Sequence, residues 1–337
     1  MSYSVVGTSV ARRDAVEKVT GLANYTANLR MPRMLHAKIL RSPLPHARIL
    51  NIDASRARRL PGVRAVLTRH EIVDRANFSA NFGRFFADQS VVAIERVRYV
   101  GDAVAAVAAV DRAAAEEALA LITVEYEELP AVFSVEETLE PSAPVLHESF
   151  VPTHSRPYGF GEQAGTNICG HMHLEHGDLE AGFNQADYVF ENEYTAPKQA
   201  HCTMEPHVAV ADWRPTGRLT LWTSTQVPFF VRDQMTRMFH LPKGHVCVRV
   251  DNVGGGYGAK TSAKVEPVAA VLAKMSGCPV KMMLSREEVF LALTRHASKF
   301  HIRTGVSKDG RLVARQIRIL WDTGAYADAG PVVVFKA

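Results

Sequence analysis

This sequence has few features of an exported protein, of a membrane-spanning protein or of a protein stabilised by disulfides or bound metal ions. Four cysteines are spread over 337 residues without a CxxC pair, which favours buried, reduced thiols over a disulfide or zinc framework. No apolar run approaches the roughly 20 residues that a membrane-spanning helix needs. The polar first residues lead into Arg12 and Arg13 without the apolar stretch of a signal peptide. We therefore expect a cytoplasmic location.

An excess of one charge sign is also lacking. The 39 Lys and Arg residues nearly balance 35 Asp and Glu, and the basic residues are scattered, so nucleic acid is not an expected partner. What is present is an ordinary globular composition, 47% hydrophobic and 22% charged. The length allows two domains, each able to bury its own core.

The first half of the chain is predicted to be one mixed domain over residues 1–135. An apolar run precedes Asp111, which is placed to cap an Ala-rich helix, and we interpret the segments around that helix as one β-α-β unit. A Pro-rich, polar linker at residues 136–165 follows. The predicted elements are strands at 35–42, 63–68 and 102–109, a helix at 112–121 and a strand at 122–126.

The second half, residues 166–337, is predicted to be a further α/β domain. Gly277 is expected to end one helix, and Lys308, Asp309 and Gly310 form a hairpin turn signal because Asp-Gly readily adopts positive φ angles. The predicted elements are strands at 219–224, 246–253, 280–284, 300–306 and 312–321, a helix after Pro228 and a helix at 265–275.

A glycine-rich loop at residues 253–261 (VGGGYGAKT) is the chemical centre of the sequence. Three consecutive glycines remove the Cβ atoms that would keep a ligand away, so backbone N–H groups can hold a phosphate, a pterin or an oxo group. A tight strand-to-helix turn without a ligand would use glycine in the same way.

Two known nucleotide motifs nearly fit this loop. Gly254, Gly256 and Ala259 match the dinucleotide fingerprint, but an acidic ribose partner is expected about 20 residues on and the nearest is Glu287. The run that ends in Lys260 and Thr261 resembles a P-loop, but alanine replaces its last glycine. A P-loop-like nucleotide-binding protein remains the alternative function.

Ten short segments follow one another in a fixed order along the chain. They are residues 18–25 (KVTGLANY), 41–47 (RSPLPHA), 100–105 (VGDAVA), 124–130 (VEYEELP), 177–179 (GDL), 204–206 (MEP), 225–226 (TQ), 254–260 (GGGYGAK), 285–288 (SREE) and 322–326 (DTGAY). Together they resemble the molybdopterin-binding large subunits of the xanthine dehydrogenase, aldehyde oxidoreductase and carbon monoxide dehydrogenase family. The resemblance runs nearly end to end and implies an α/β (α+β) fold, with an α/β hammerhead domain followed by the start of a molybdopterin-cofactor-binding domain.

The resemblance implies molybdenum held by molybdopterin or its cytosine dinucleotide form, and a reaction that hydroxylates a carbon centre with oxygen from water. Gln226 would donate a hydrogen bond to an oxygen ligand of the metal, because a neutral amide orients such a group without adding charge. Arg295 would orient the substrate, although a helix-end arginine that caps carbonyls is an equal alternative. The implied cofactor-binding residues are Gln226, Gly254, Gly255, Gly256, Tyr257 and Gly258, and the implied substrate pocket contains Tyr257 and Thr261.

Thr261 departs from the purine oxidisers of that family, which carry a glutamate at this position. A hydroxyl supplies neither the charge nor the reach of a carboxylate, so we expect a heteroaromatic compound, an aldehyde or a related small molecule and not xanthine. The implied partners are an iron–sulfur subunit with 2Fe-2S, an FAD subunit and a polypeptide or segment with the remaining molybdopterin-binding half. A non-catalytic half-subunit scaffold is the third hypothesis.

Three groups of polar residues are interpreted as structural. Cys169, His171 and His173 would share one face of a strand, but no partner pair at metal-finger spacing follows. A second group, His201, Cys202 and His207, is expected to pack and form local hydrogen bonds. The tetrapeptide at residues 159–162 (GFGE) matches the setting of the family's general base, but it lies in the linker, far from the family's position, and we expect a coincidence.

Overall fold

The computed structural model describes residues 3–73, 77–148 and 165–335. Its strands are β1 Leu35–Arg41, β2 Ala47–Asp53, β3 Val63–Leu67, β4 Asn81–Phe82, β5 Gln89–Ser90, β6 Arg96–Val97, β7 Ala103–Ala109, β8 Thr123–Glu128, β9 Tyr188–Ala196, β10 Gln199–Ala200, β11 Val208–Trp213, β12 Leu219–Thr223, β13 Val246–Arg249, β14 Val280–Met283, β15 Thr294–Arg295, β16 Ala297–Val306 and β17 Leu312–Asp322.

The helices lie between these strands, and two short 3-10 turns, Thr26–Asn28 and Lys243–His245, accompany them. Within the described residues, no helix is long and apolar enough to cross a membrane. The helices are α1 Ala15–Val19, α2 Ser55–Arg59, α3 Arg69–Val73, α4 Arg112–Ala120, α5 Val135–Leu139, α6 Leu179–Asn184, α7 Pro228–Met238, α8 Glu266–Ser276, α9 Arg286–Ala292 and α10 Gly330–Phe335.

A seven-stranded mixed sheet with the strand order β13-β12-β11-β14-β1-β7-β3 joins the two halves of the chain. Its junction is the parallel pair of β1 and β14, in which Leu35 lies opposite Val280 and Ala37 opposite Met282. The main core also crosses this junction, since Ile39 of β1 and Leu272 of α8 belong to one buried cluster. The two halves therefore share this core, because strand pairing across the sheet joins them.

A second core lies where β2, β8 and α4 pack near β7. Its buried members include Ile49, Val107 and Ala118. All seven residues of β7 are buried, as expected for a strand covered on both faces. The predicted β-α-β unit is wrong in one respect, because β7 belongs to the seven-stranded sheet whereas β8 pairs antiparallel with β2 in a separate sheet.

Local signals placed several elements correctly. The Asp111 side chain accepts a hydrogen bond from the Ala114 N–H at 2.8 Å and so caps α4. Gly277 ends α8 in the left-handed conformation with φ 64°. The turn at residues 307–311 joins β16 and β17, which pair antiparallel as predicted. The predicted strand at 246–253 stops earlier, at Arg249, so the whole glycine loop lies outside regular structure.

Candidate functional site

The glycine loop connects β13 to α8 and bends sharply. Gly255 and Gly258 have φ angles of +96° and +98°, and Tyr257 between them has φ +53°. Glycine adopts these angles without a steric penalty, whereas tyrosine in this region is strained and must be held by its surroundings. The Tyr257 side chain is 74% exposed, so the bend presents an aromatic ring at the surface.

The start of the loop is fixed against Glu205. The Gly254 N–H donates to Glu205 Oε2 at 2.8 Å, and the Glu205 N–H donates to the Gly254 carbonyl at 3.0 Å. A Cβ atom on Gly254 would lie 2.5 Å from the Cβ of Glu205. Only glycine therefore fits here without moving one of the two segments.

Gln226 lies directly over the middle of the loop. Its Oε1 accepts hydrogen bonds from the N–H groups of Gly258 at 3.2 Å and Lys260 at 3.3 Å. These two donors fix which end of the amide is the oxygen. The Nε2 atom, on an exposed side chain, has no hydrogen-bond partner among the described residues. Gln226 thus presents a neutral donor in a defined direction.

Three successive backbone donors remain available beside that amide. The N–H groups of Gly255, Gly256 and Tyr257 have no hydrogen-bond partner in residues 3–73, 77–148 and 165–335. Gly256 has no room for a side chain, because a Cβ there would lie 2.4 Å from Gln226 Cδ. A row of free N–H groups on glycine-rich main chain, where no side chain blocks the approach, is suited to holding the acceptor atoms of an anionic or heterocyclic group. These residues fit a pterin cofactor.

Lys260 does not fit the P-loop alternative. Its side chain is 1% exposed, and its Nζ pairs with Glu205 Oε2 at 2.8 Å. A P-loop lysine must instead reach the phosphates of the nucleotide. Helix α8 also begins at Glu266, seven residues beyond Ala259, the last residue of the fingerprint match, whereas the dinucleotide fingerprint opens a helix directly. The structure therefore contradicts the nucleotide-binding interpretation of the loop.

A large open cleft of about 1840 Å³ borders the far end of the loop, and Gly258, Thr261 and Arg295 are among its lining residues. The Thr261 hydroxyl donates to the Gly258 carbonyl at 2.8 Å. Arg295 lies in the short strand β15 and donates to the Pro197 carbonyl at 2.7 Å. It does not cap a helix end, so the alternative interpretation of Arg295 is wrong, whereas its contact with substrate stays a prediction.

Two contacts of the site were not predicted. Glu205 belongs to the MEP segment that carried the resemblance, yet no sequence pattern indicated its place beneath the loop. Arg84, far away in the sequence, donates to the Thr261 carbonyl at 3.4 Å. Its guanidinium lies 3.9 Å from the centre of the Phe230 ring. Long-range contacts of this kind leave no periodic signal in one sequence.

The polar residues that were interpreted as structural differ in their surroundings. Cys169, His171 and His173 lie outside any strand, and among the residues that the structure describes no three His, Cys, Asp or Glu side chains are placed to hold a metal ion. His207 is buried and its Nε2 lies 3.0 Å from the Ala259 carbonyl; burial lowers the pKa of its imidazole. Cys202 is exposed. The tetrapeptide at 159–162 lies outside the described residues.

Comparison with known proteins identifies the family. The molybdopterin cofactor-binding domain matches residues 160–337, and the aldehyde oxidase and xanthine dehydrogenase a/b hammerhead domain matches residues 20–130. The nicotinate dehydrogenase large molybdopterin subunit of Eubacterium barkeri is 38% identical over 336 residues, which cover 99% of this chain and 74% of that protein. The chain belongs to the xanthine dehydrogenase family of molybdopterin-binding large subunits. The predicted fold class and the predicted family are confirmed.

Other members of the family are longer than this chain. The xanthine dehydrogenase molybdenum-binding subunit of Escherichia coli O157:H7 is 36% identical over 330 residues, which cover 95% of this chain and 41% of that protein. The structure of quinoline 2-oxidoreductase from Pseudomonas putida 86 has a TM-score of 0.77 at 32% identity, with 93% of this chain and 39% of that chain covered. The chain spans about two fifths of these two relatives.

Proposed function

We propose that this chain supplies one wall of the molybdopterin site of a hydroxylase, and that the complete enzyme oxidises a heteroaromatic compound, an aldehyde or a related small molecule. The observation that carries the proposal is the Gln226 amide, which is fixed over Gly256 with its donor end free. Beside it lie the free N–H groups of residues 255–257. Donors fixed before the ligand arrives need no reorganisation when it binds.

Each residue of the loop has a defined part in this proposal. The N–H groups of Gly255, Gly256 and Tyr257 would hold acceptor atoms of the pterin, in its molybdopterin or cytosine dinucleotide form. Gly254 and Gly258 allow the main chain to come close, and Gln226 orients the group from one side with its Nε2 donor. When bound, the cofactor supplies the two-electron chemistry that hydroxylates a carbon centre with oxygen from water.

The substrate class follows from the end of the loop at the large cleft. Thr261 carries a neutral hydroxyl that is already used by the Gly258 carbonyl, so it offers no carboxylate to a purine ring. Tyr257 supplies an exposed ring against which a flat substrate can stack. The names nicotinate dehydrogenase and quinoline 2-oxidoreductase, two of the relatives, also refer to heteroaromatic compounds. Arg295 would orient such a substrate from the cleft.

The electrons would leave through an iron–sulfur subunit with 2Fe-2S and an FAD subunit in a cytoplasmic complex. The hammerhead domain would occupy residues 1–135 and the cofactor domain residues 166–337. The polypeptide or segment with the remaining molybdopterin-binding half would complete the site.

An apolar face on the sheet β17-β16-β9 supports that last partner. Strand alternation and the pairing register place Tyr188, Phe190 and Tyr194 of β9 on the same face as Ile317 and Ile319 of β17. These five side chains are 37–54% exposed. An apolar surface of this kind usually marks an interface, and two of the relatives are more than twice as long as this chain. We propose that the remaining part of the molybdopterin-binding subunit, which those two relatives contain, covers this face.

The test is purification of the native complex from its source, followed by mass analysis of the subunits and quantification of molybdenum. We expect molybdenum near one atom per copy of this chain, together with subunits that bind iron–sulfur clusters and FAD. A complex without molybdenum would show that the chain is a non-catalytic scaffold. Tight binding of magnesium–ATP by the chain would also contradict the proposed function.

A further inference from the structure

A buried ion pair lies beneath the glycine loop. Lys260 Nζ and Glu205 Oε2 are 2.8 Å apart, and the two side chains are 1% and 8% exposed. Neither residue has a part in the function proposed above. The second carboxylate oxygen, Glu205 Oε1, is buried without a hydrogen-bond partner among the described residues. A charged pair therefore occupies a place that apolar side chains could fill.

The pair connects the two ends of the loop. At the start, Glu205 Oε2 also accepts the Gly254 N–H at 2.8 Å. At the end, the Lys260 N–H donates to Gln226 Oε1 at 3.3 Å. The Lys260 carbonyl accepts the Gln226 N–H at 2.9 Å and the Thr225 hydroxyl at 3.2 Å. Glu205 and Lys260 thus link Gly254 to the residue that fixes the Gln226 amide.

A contribution to the stability of the fold does not by itself explain why a buried ion pair occupies this position. Removing two charges from water is costly, and an apolar replacement of similar volume is often as stable or more stable. Burial lowers the pKa of Lys260, and the hydrogen bond and charge of Glu205 oppose that change. Unlike an apolar contact, the ion pair fixes the relative orientation of its two side chains, because their hydrogen-bonded atoms must meet in one geometry.

We propose that Glu205 and Lys260 are positioning residues, whose ion pair closes the loop from Gly254 to Lys260 and thereby holds the Gln226 amide in place for the cofactor. This inference rests on the proposed function of Gln226. Lys260 acts through its main chain on Gln226, and its ammonium group does not contact the cofactor.

Hydrogen exchange of the full chain, measured by mass spectrometry at residue resolution, tests this proposal. The variant Lys260→Met keeps the length of the side chain and removes its charge. We expect the amides of Gly258 and Lys260, which report the Gln226 contact, to exchange about tenfold faster in this variant. The matched control is Lys281→Met, because Lys281 is also buried, at 5% exposure, but donates from β14 to the Ala27 carbonyl, away from the loop. Its loop amides should keep their native rates.

The double variant Glu205→Gln with Lys260→Met separates positioning from stability. It leaves no uncompensated buried charge, so the midpoint of urea unfolding should return toward that of the native chain. Exchange at Gly258 and Lys260 should remain fast, and the molybdenum content of the purified complex should fall below that of the Lys281→Met complex. If the double variant regains native loop exchange together with stability, the pair is only structural and the proposal is overturned. Absence of molybdenum from the native complex would instead overturn the proposed function, whatever the exchange rates.

Discussion

Alanine at position 256 should displace the Gln226 amide while the fold remains intact. A Cβ on Gly256 would lie 2.4 Å from both Cδ and Oε1 of Gln226, whereas nonbonded carbons settle at about 3.5–4.0 Å. The Gln226 amide must therefore move by about 1 Å. Its side chain is exposed at the surface, so it can move without disturbing the core.

The size of the effect follows from the bonds that are lost. Oε1 would give up the N–H groups of Gly258 and Lys260, but water can replace an exposed acceptor, so the free energy of unfolding should fall by about 1 kcal/mol or less. A misplacement of about 1 Å in a group that orients a cofactor costs roughly 10- to 100-fold in activity. We expect turnover to fall by that factor with nearly unchanged stability.

The assay is dye-linked oxidation of heteroaromatic and aldehyde substrates by the purified complex, with urea unfolding and molybdenum content measured in parallel. Gly244→Ala is the matched control, because a Cβ on Gly244 meets no atom within 4 Å. Equal turnover in Gly256→Ala and the native complex would refute the reasoning, and so would an equal loss in the control.

Three further perturbations test other parts of the mechanism and the fold. Gln226→Glu keeps an acceptor for the loop but removes the amide donor, so turnover should fall at least tenfold while urea unfolding changes little; unchanged turnover would count against the role of Gln226. Asp111→Ala removes the α4 cap and should cost about 1 kcal/mol in urea unfolding, whereas Glu117→Ala, at an exposed position of the same helix, should change little. Burial raises the pKa of Asp102 to about 6 from 3.8. The ionised form therefore costs the folded state stability, and the stability of Asp102→Asn relative to the native chain should increase from about pH 4 to pH 6 and then level off. A constant difference across that range would contradict the shifted pKa.

Much of the local structure could be predicted from the sequence because its causes are local. Asp111 caps α4 by a bond three residues away, and Gly277 ends α8 through its own φ angle. The turn between β16 and β17 likewise depends on a few neighbouring residues. Such local patterns can be recognised in a single sequence without knowledge of tertiary contacts.

The arrangement of the sheets could not be predicted in the same way. Leu35 and Val280 are opposite each other in β1 and β14. Strand β8 pairs with β2 in a separate sheet, and not in the sheet that contains β7. Apolar strands have many possible partners of similar hydrophobicity, and only the packing of the whole chain selects among them.

The candidate site was predicted in part. The glycine pattern indicated a place where main chain approaches a ligand, and the family resemblance suggested Gln226 beside it. The role of Lys260 depended on a contact with Glu205 across 55 residues, so its sequence motif pointed to a phosphate that the buried ammonium cannot reach. Arg84 contacts the Thr261 carbonyl from a distance of 177 residues, for which one sequence contains no signal.

A structure of the assembled, molybdenum-loaded complex would measure the central claim most directly. We predict a pterin held by the N–H groups of residues 255–257 at hydrogen-bond distance, about 2.7–3.2 Å, with Gln226 Nε2 directed at the metal centre. Density for a nucleotide against this loop, or Gln226 turned away from an occupied pterin site, would contradict that claim.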